Sequence, residues 1–161
     1  PRMVGVICDP AKSGYLVKRA QQAARGRGIE LAVREVQTPR DVPDALTSLK
    51  GIVDALWMFP DTTVVTPETV ELFLLTSQEN RFPVIGFAGK YVEMGALTAL
   101  DIDSFDQGRQ AGEMAAHILN GSAVADLPGA EARSTTVKVN RSVARKLGIS
   151  LENIDRLNPS K

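Results

Sequence analysis

Short apolar runs and amphipathic stretches alternate along the chain. Residues 3–8 (MVGVIC), 52–59 (IVDALWMF) and 83–87 (PVIGF) read as buried strands. Each leads into a polar segment that opens a helix: Asp9-Pro10-Ala11-Lys12-Ser13-Gly14, Pro60-Asp61-Thr62-Thr63 and Ala88-Gly89-Lys90-Tyr91. After the first, Leu16, Val17, Ala20, Ala23 and Ala24 share one helical face, with Ser13 as candidate cap and Gly26 and Gly28 as the stop. Residues 30–36 predict a second strand, with Leu31, Val33 and Val36 inward. Residues 38–41 start a short helix carrying Ala45, Leu46 and Leu49, closed by Gly51.

Thr66-Pro67-Glu68 combines a capping hydroxyl, a proline at the first helical position and an acid facing the helix dipole. The helix it opens runs through Val70, Leu72, Phe73, Leu74 and Leu75 to about Asn80. Residues 96–101 (ALTALD) predict a fifth strand. Ser104-Phe105-Asp106-Gln107 fits a capping box. The helix after it has Phe105, Ala111, Ala115, Ile118 and Leu119 on its apolar side and ends at Asn120-Gly121. Residues 122–133 read as a loop, 134–139 as a strand, and Asn140 caps a last short helix ending at Gly148. Residues 151–161, charged and containing Pro159, predict a loose tail.

Strands alternating with helices give βαβ units. The expected class is α/β: a Rossmann-like three-layer lobe with a mainly parallel sheet of about five strands and helices on both faces. Residues 1–150 are expected to form it as one unit, since a chain of 161 residues buries enough surface for a core without staples. In such a sheet, ligands bind outside the carboxyl ends of the strands, where all three polar segments lie.

Nineteen basic and nineteen acidic residues cancel, and no Lys/Arg-dense stretch marks a nucleic-acid partner. No apolar run approaches the ~20 residues that span a bilayer. Cys8 is the only cysteine; ending an apolar strand, it reads as a buried structural thiol. The chain opens Pro1-Arg2 without a start methionine, as the middle of a longer protein would.

The familiar catalytic patterns fail. There is no phosphate loop of the G-x-x-x-x-G-K-[ST] kind, and Gly26-Arg27-Gly28 ends a helix instead of opening one after a strand. A nucleophile elbow is missing. His117, the single histidine, shares a polar helix face with Gln110 and Glu113, which supports neither a metal site nor a histidine base. Asp9, Asp61 and Lys90 resemble the acids and lysine of a phosphoacceptor receiver, but a receiver's second acid after strand one is missing and its lysine follows strand five. A small flavodoxin-like enzyme or cofactor carrier is a further alternative. No cofactor and no catalysis are expected. The loops suit binding better. Ser13, Thr62, Thr63 and free N–H groups at the helix starts would hold an anion or carboxylate. Asp61 would accept from an ammonium or hydroxyl, and Tyr15, Phe59 and Phe87 would supply apolar walls.

Residues 4–10 (VGVICDP), 55–63 (ALWMFPDTT), 83–87 (PVIGF), 137–148 (VKVNRSVARKLG) and above all 95–119 (GALTALDIDSFDQGRQAGEMAAHIL) resemble the second half of ABC-transporter substrate-binding proteins with the type I periplasmic-binding fold. The resemblance runs from Met3 to about Ile149. It implies two α/β lobes joined by hinge crossovers, with a small solute trapped between them and delivered to an ABC permease. This chain would be the C-terminal lobe, its N-terminal partner lobe missing, in a protein that is periplasmic or membrane-anchored outside the cytoplasm. The implied ligand-facing residues are Ser13, Gly14 and Tyr15, then Pro60, Asp61 and Thr62, then Phe87, Ala88 and Gly89, with Asp101 near a hinge. Many members carry a polar or acidic residue where Ala88-Gly89 stands, a departure that speaks against an amino-acid ligand. The resemblance also implies that the unit 96–120 packs in the other lobe. The chain alone is then expected either to form a homodimer through this unit or to take its strand as the edge of a single sheet.

Overall fold

The computed structural model describes residues 1–127 and 129–151. The expected tail from 152 onward lies outside the described residues. Six strands form one sheet: β1 (Met3–Cys8), β2 (Glu30–Glu35), β3 (Ala55–Trp57), β4 (Val84–Gly86), β5 (Thr98–Ile102) and β6 (Thr135–Val139). Their spatial order is β2-β1-β3-β4-β5-β6. The first five are parallel, and β6 runs antiparallel to β5. All six strands of the sequence pattern thus join one sheet, expected to hold about five.

From β1 the chain first steps outward to β2, then returns past β1 to β3 and continues to β4 and β5. Right-handed crossovers that move in opposite directions place their helices on opposite faces. Helix α1 (Pro10–Arg25), between β1 and β2, therefore lies on one face. Helices α2 (Val42–Thr47), α3 (Pro67–Asn80) and α4 (Gly89–Met94) connect the later strands and share the other. Side chains alternate accordingly. Ile7, Leu56, Met58 and Val84 join Val42, Leu46, Val70, Phe73 and Tyr91 in the larger core. Val6, Cys8 and Phe59 join Val17 in the smaller one, with Leu16, Ala20 and Trp57 at its margin. Gly5 faces the larger core, where a Cβ would meet Leu56 Cδ2 at 2.7 Å.

A single helix cannot cover a six-stranded face. Beyond α1, the floor made by Trp57, Gly86, Leu100 and Ile102 stays open as a groove of 490 Å³ whose walls include Leu16, Ala20 and Phe87. Leu100 is 53 % exposed.

Several boundaries differ from the sequence reading. Helix α1 starts at Pro10, capped by Asp9, so Ser13 is its fourth residue and not its cap. Helix α4 forms after β4, where the segment Ala88-Gly89-Lys90-Tyr91 is expected to open one. Helix α5 (Ser104–Leu119) is capped by Asp103, whose Oδ1 accepts from the N–H groups of Phe105 and Asp106. Thr66 caps α3 and Asn140 caps α6 (Arg141–Leu147) as their sequences predict.

The unit 96–120 divides. Its strand is inside this sheet, paired on both sides, and β6 takes the edge position. Its helix stands off. Of α5 only Asp106 is buried, while Phe105 is 84 % and Leu119 86 % exposed.

Candidate functional site

The chain reverses its direction of travel across the sheet between β1 and β3, so the loops after these two strands diverge around a crevice at their carboxyl ends. This is the switch point where ligands bind in open α/β sheets. Two aspartates dominate the crevice floor. Asp61 is 1 % exposed and its carboxylate is filled by the protein. Oδ2 accepts from the Asp9 N–H at 2.8 Å and from the Ser13 hydroxyl. Oδ1 accepts from the N–H groups of Thr63 at 2.9 Å and Val64 at 3.1 Å. Asp9 returns the link: its Oδ2 accepts from the Thr63 hydroxyl at 2.7 Å and its Oδ1 from the Ala11 N–H at 2.9 Å. The Thr63 hydroxyl, and next the Ala11 N–H, hold the Asp9 carboxyl below its ordinary 3.8.

Each aspartate thus caps its own loop and grips the other, which locks the two loops together. The consequence for binding is a correction. The N–H groups of Ala11, Lys12, Ser13, Thr63, Val64 and Val65 are all donated internally, so the start of α1 and the turn after β3 do not offer them to an anion. Ser13 and Asp61 form the frame beneath the edge. Exposed above them are Tyr15, Pro60 and Thr62, with Gly14 half-buried. The receiver alternative loses its basis as well: both acids are engaged by protein donors, and Lys90 Nζ sits 4.9 Å from the Tyr91 ring centroid.

Cys8, at the end of β1, is buried, and its thiol is pushed up to about 11 by burial first and then by Glu35, Asp61 and Asp9. It stays protonated at neutral pH and is a packing residue.

The second part of the edge follows β4 and β5. Phe87, Ala88 and Gly89 are half-buried. Phe87 packs on Tyr91 with ring centroids 4.8 Å apart. The Gly89 N–H donates to Asp101 Oδ1 at 2.8 Å. A Cβ on Gly89 would lie 2.8 Å from Asp101 Oδ2, so only glycine leaves room for this carboxylate. Lys138 Nζ, on β6, stands 3.9 Å from the same oxygen. Sequence reasoning missed Lys138, because nothing local relates it to a residue 37 positions earlier. The Asp9 cap was legible: Asp-Pro at a helix start repeats the logic of Thr66-Pro67. Phe59 lies not on the edge but under α1, edge-to-face with Trp57 at 4.5 Å.

Among the described residues no cluster of His, Cys, Asp and Glu is arranged to hold a metal, and no helix is long and apolar enough to cross a membrane.

Comparison with known proteins agrees with this architecture. A tyrosine-binding protein of Clostridioides difficile (strain R20291) is 26 % identical over 158 residues, 97 % of this chain and 45 % of that protein. The ligand-free, open structure of a substrate-binding protein with adhesive properties from Clostridium difficile superposes with a TM-score of 0.71 at 29 % identity, over 92 % of this chain and 50 % of that one. A Streptococcus pneumonia ABC domain in complex with L-Trp shares the fold with a TM-score of 0.76 at 23 % identity, over 95 % of this chain and 53 % of that one. The chain thus spans about half the length of the relatives it matches. The family model for ABC transporter substrate binding proteins matches residues 1–157, and the chain belongs to that family.

Proposed function

We propose that this chain is one lobe of a two-lobe solute-binding protein that works outside the cytoplasm, holds a small solute without chemical change and hands it to an ABC permease. The observation that carries the reading is the locked crevice at the switch point. Asp9 and Asp61 spend their hydrogen bonds on fixing two loops, and fixed loops are what a binding site needs to avoid ordering costs when a ligand arrives. Ligand contact falls to Gly14, Tyr15, Pro60 and Thr62 on one side and to Phe87, Ala88, Gly89 and Asp101 on the other, with Ser13 and Asp61 holding the first group in place. The second lobe closes over this edge. It also covers the apolar side of α5, where Phe105 and Leu119 are exposed among the described residues. The tyrosine-binding and L-Trp-bound relatives make aromatic amino acids the first solutes to try.

The test uses the full-length protein in a thermal-shift screen against amino acids, sugars and small carboxylic acids. At least one class is expected to raise the melting temperature, and Tyr15→Ala with Thr62→Ala is expected to reduce that rise. A screen in which none of these solutes stabilises the protein overturns the reading.

A further inference from the structure

We infer that the open trench on the α1 face receives helix α5 of a second copy of this chain, and that two copies exchanging these helices bring their candidate ligand edges face to face. The inference rests on the lobe reading above and names what takes the second lobe's place when this chain stands alone.

The chain carries a trench and a ridge that it leaves apart. The groove of 490 Å³ beside α1 continues into a second cavity of 570 Å³, and the two share Ala20, Ala23, Trp57, Gly86 and Leu100. Together they run from Pro60 and Ile102 at the carboxyl edge to Pro1 and Ile29 at the opposite one. Val4 is level with Ala55, so Pro60 stands level with Asp9. Eight residue steps separate that level from Pro1, which makes about 26 Å of trench. Helix α5 has 16 residues and is about 24 Å long.

The profiles match as well. Phe105 stands at the start of the apolar side of α5, and Ile118 and Leu119 at its end. Between them the same side carries Gly108, Ala111, Gly112 and Ala115. A Cβ on Gly108 or Gly112 would meet nothing within 4 Å. Glycine in a helix interior is a cost that the lone chain does not recover. A side that is small in the middle and bulky at both ends fits a floor on which Leu100 stands half-exposed.

The polar side of α5 turns the apolar side outward. Arg133 pairs with Asp106 and Glu113, and Gln110 donates to the Glu131 carbonyl, so residues 131–133 lie along the polar side. Glu131 in turn stands 3.9 Å from Arg19 of α1, an exposed pair that holds the helix weakly. The two links of α5 to the sheet are adjacent. It leaves at Asp103 and returns at Ser134, and the Asp103 N–H donates to the Ser134 carbonyl at 3.1 Å. Both links sit at the carboxyl edge. A helix hung there reaches another trench through that trench's own carboxyl end, so the two edges meet. A two-fold arrangement lets each copy give one helix and receive one, which closes the assembly at two. The edge carrying Tyr15, Thr62 and Phe87 then faces its copy across a cleft, and the site is incomplete without the second copy.

Dilution of the chain tests the exchange, read by sedimentation and by the emission of Trp57, the single tryptophan, which lies in the trench. We expect a dimer that dissociates on dilution while the Trp57 emission shifts to the red. Leu119→Glu on the ridge and Leu100→Glu in the trench both change exposed positions. Each should weaken the dimer at least about tenfold, the scale of one buried leucine, with helix content unchanged. Ala23→Cys and Leu119→Cys chains, mixed and mildly oxidised, should give a mixed disulfide dimer in preference to either chain's own. A chain that stays monomeric overturns the exchange. So does a dimer that Leu100→Glu leaves intact or that forms no mixed disulfide. Each of these failures leaves the lobe reading to the solute screen on the full-length protein.

Discussion

The crevice between β1 and β3 and the excursion β5–α5–β6 are built from similar residues and reach opposite states. In the crevice every polar group of Asp9, Ser13, Asp61 and Thr63 named above meets a partner inside the fold, and apolar Ile7, Met58 and Val64 close beneath it. In the excursion the polar side is equally well kept. Asp106 accepts from Arg109 and Arg133, Arg133 also pairs with Glu113 at 2.7 Å, and the Gln110 amide donates to the Glu131 carbonyl at 3.0 Å. Yet Phe105 and Leu119 face water. Both regions obey the local rules of capping and pairing. They differ in whether the chain itself supplies an apolar surface to press against, and hydrophobic burial outweighs exposed ion pairs in stability. One region is closed within the chain; the other leaves an apolar side exposed among the described residues.

The sharpest way to break this contrast is Asp61→Ala. It strands the Asp9 N–H, the Ser13 hydroxyl and the Thr63 and Val64 N–H groups in a buried place, and should cost on the order of 3–5 kcal/mol in urea unfolding. A cost below about 1 kcal/mol would mean that the lock carries no stability. Gly5→Ala probes the larger core beside it. The new methyl meets Leu56, Leu49 and Val53 side chains at 2.7, 3.1 and 3.2 Å, and a loss of about 1–3 kcal/mol is expected.

Acid compares the two regions directly. Asp9 is held below the ordinary 3.8 chiefly by Thr63, and Asp106 chiefly by Arg109. A carboxyl depressed in the folded state contributes stability above its unfolded value and loses it as the pH falls through its folded value. Both carboxyl resonances should therefore titrate below 3.8 by NMR, with the Thr63 and Arg133 signals moving alongside them. A midpoint at or above 3.8 for either would remove that link.

The smallest effect belongs to α5. Phe105→Ala and Leu119→Ala should change the stability of this chain by no more than about 0.5 kcal/mol, since neither side chain is packed. The exposed side should show instead in association. Light scattering on the chain is expected to rise above the 17.3 kDa of one copy as concentration increases, and Leu119→Glu to bring it back. A strict monomer across the micromolar range would sink the expectation of self-association.

Much of the fold was legible because its signals are local. Thr66-Pro67 and Asn140 announce their helices within three residues, and period-2 and period-3.6 patterns reveal strands and long helices on their own. The strands Ala55–Trp57 and Val84–Gly86 are shorter than their apolar runs. Helix α4 was legible as a start but not in its extent, because six residues with no side-chain cap leave little pattern. The candidate site was legible as a place but not as a division of labour. Asp61 and Thr62 are adjacent loop residues of equal promise, and only the fold buries one and exposes the other.

By itself the sequence determined the α/β class, the caps of α3 and α6, the sheet edge that carries the loops and the family. These depend on contacts within a few residues or on patterns repeated along the chain. Only the tertiary structure decided that Asp61 is a brace, that Asp101 occupies the space left by Gly89, that Lys138 approaches it and that β5 lies inside the sheet while α5 stands away. Each of these joins residues 12 to 52 positions apart, or depends on which surface is left without a partner. Long-range pairing is settled by the sum of burial across the whole sheet, and no local pattern encodes that sum.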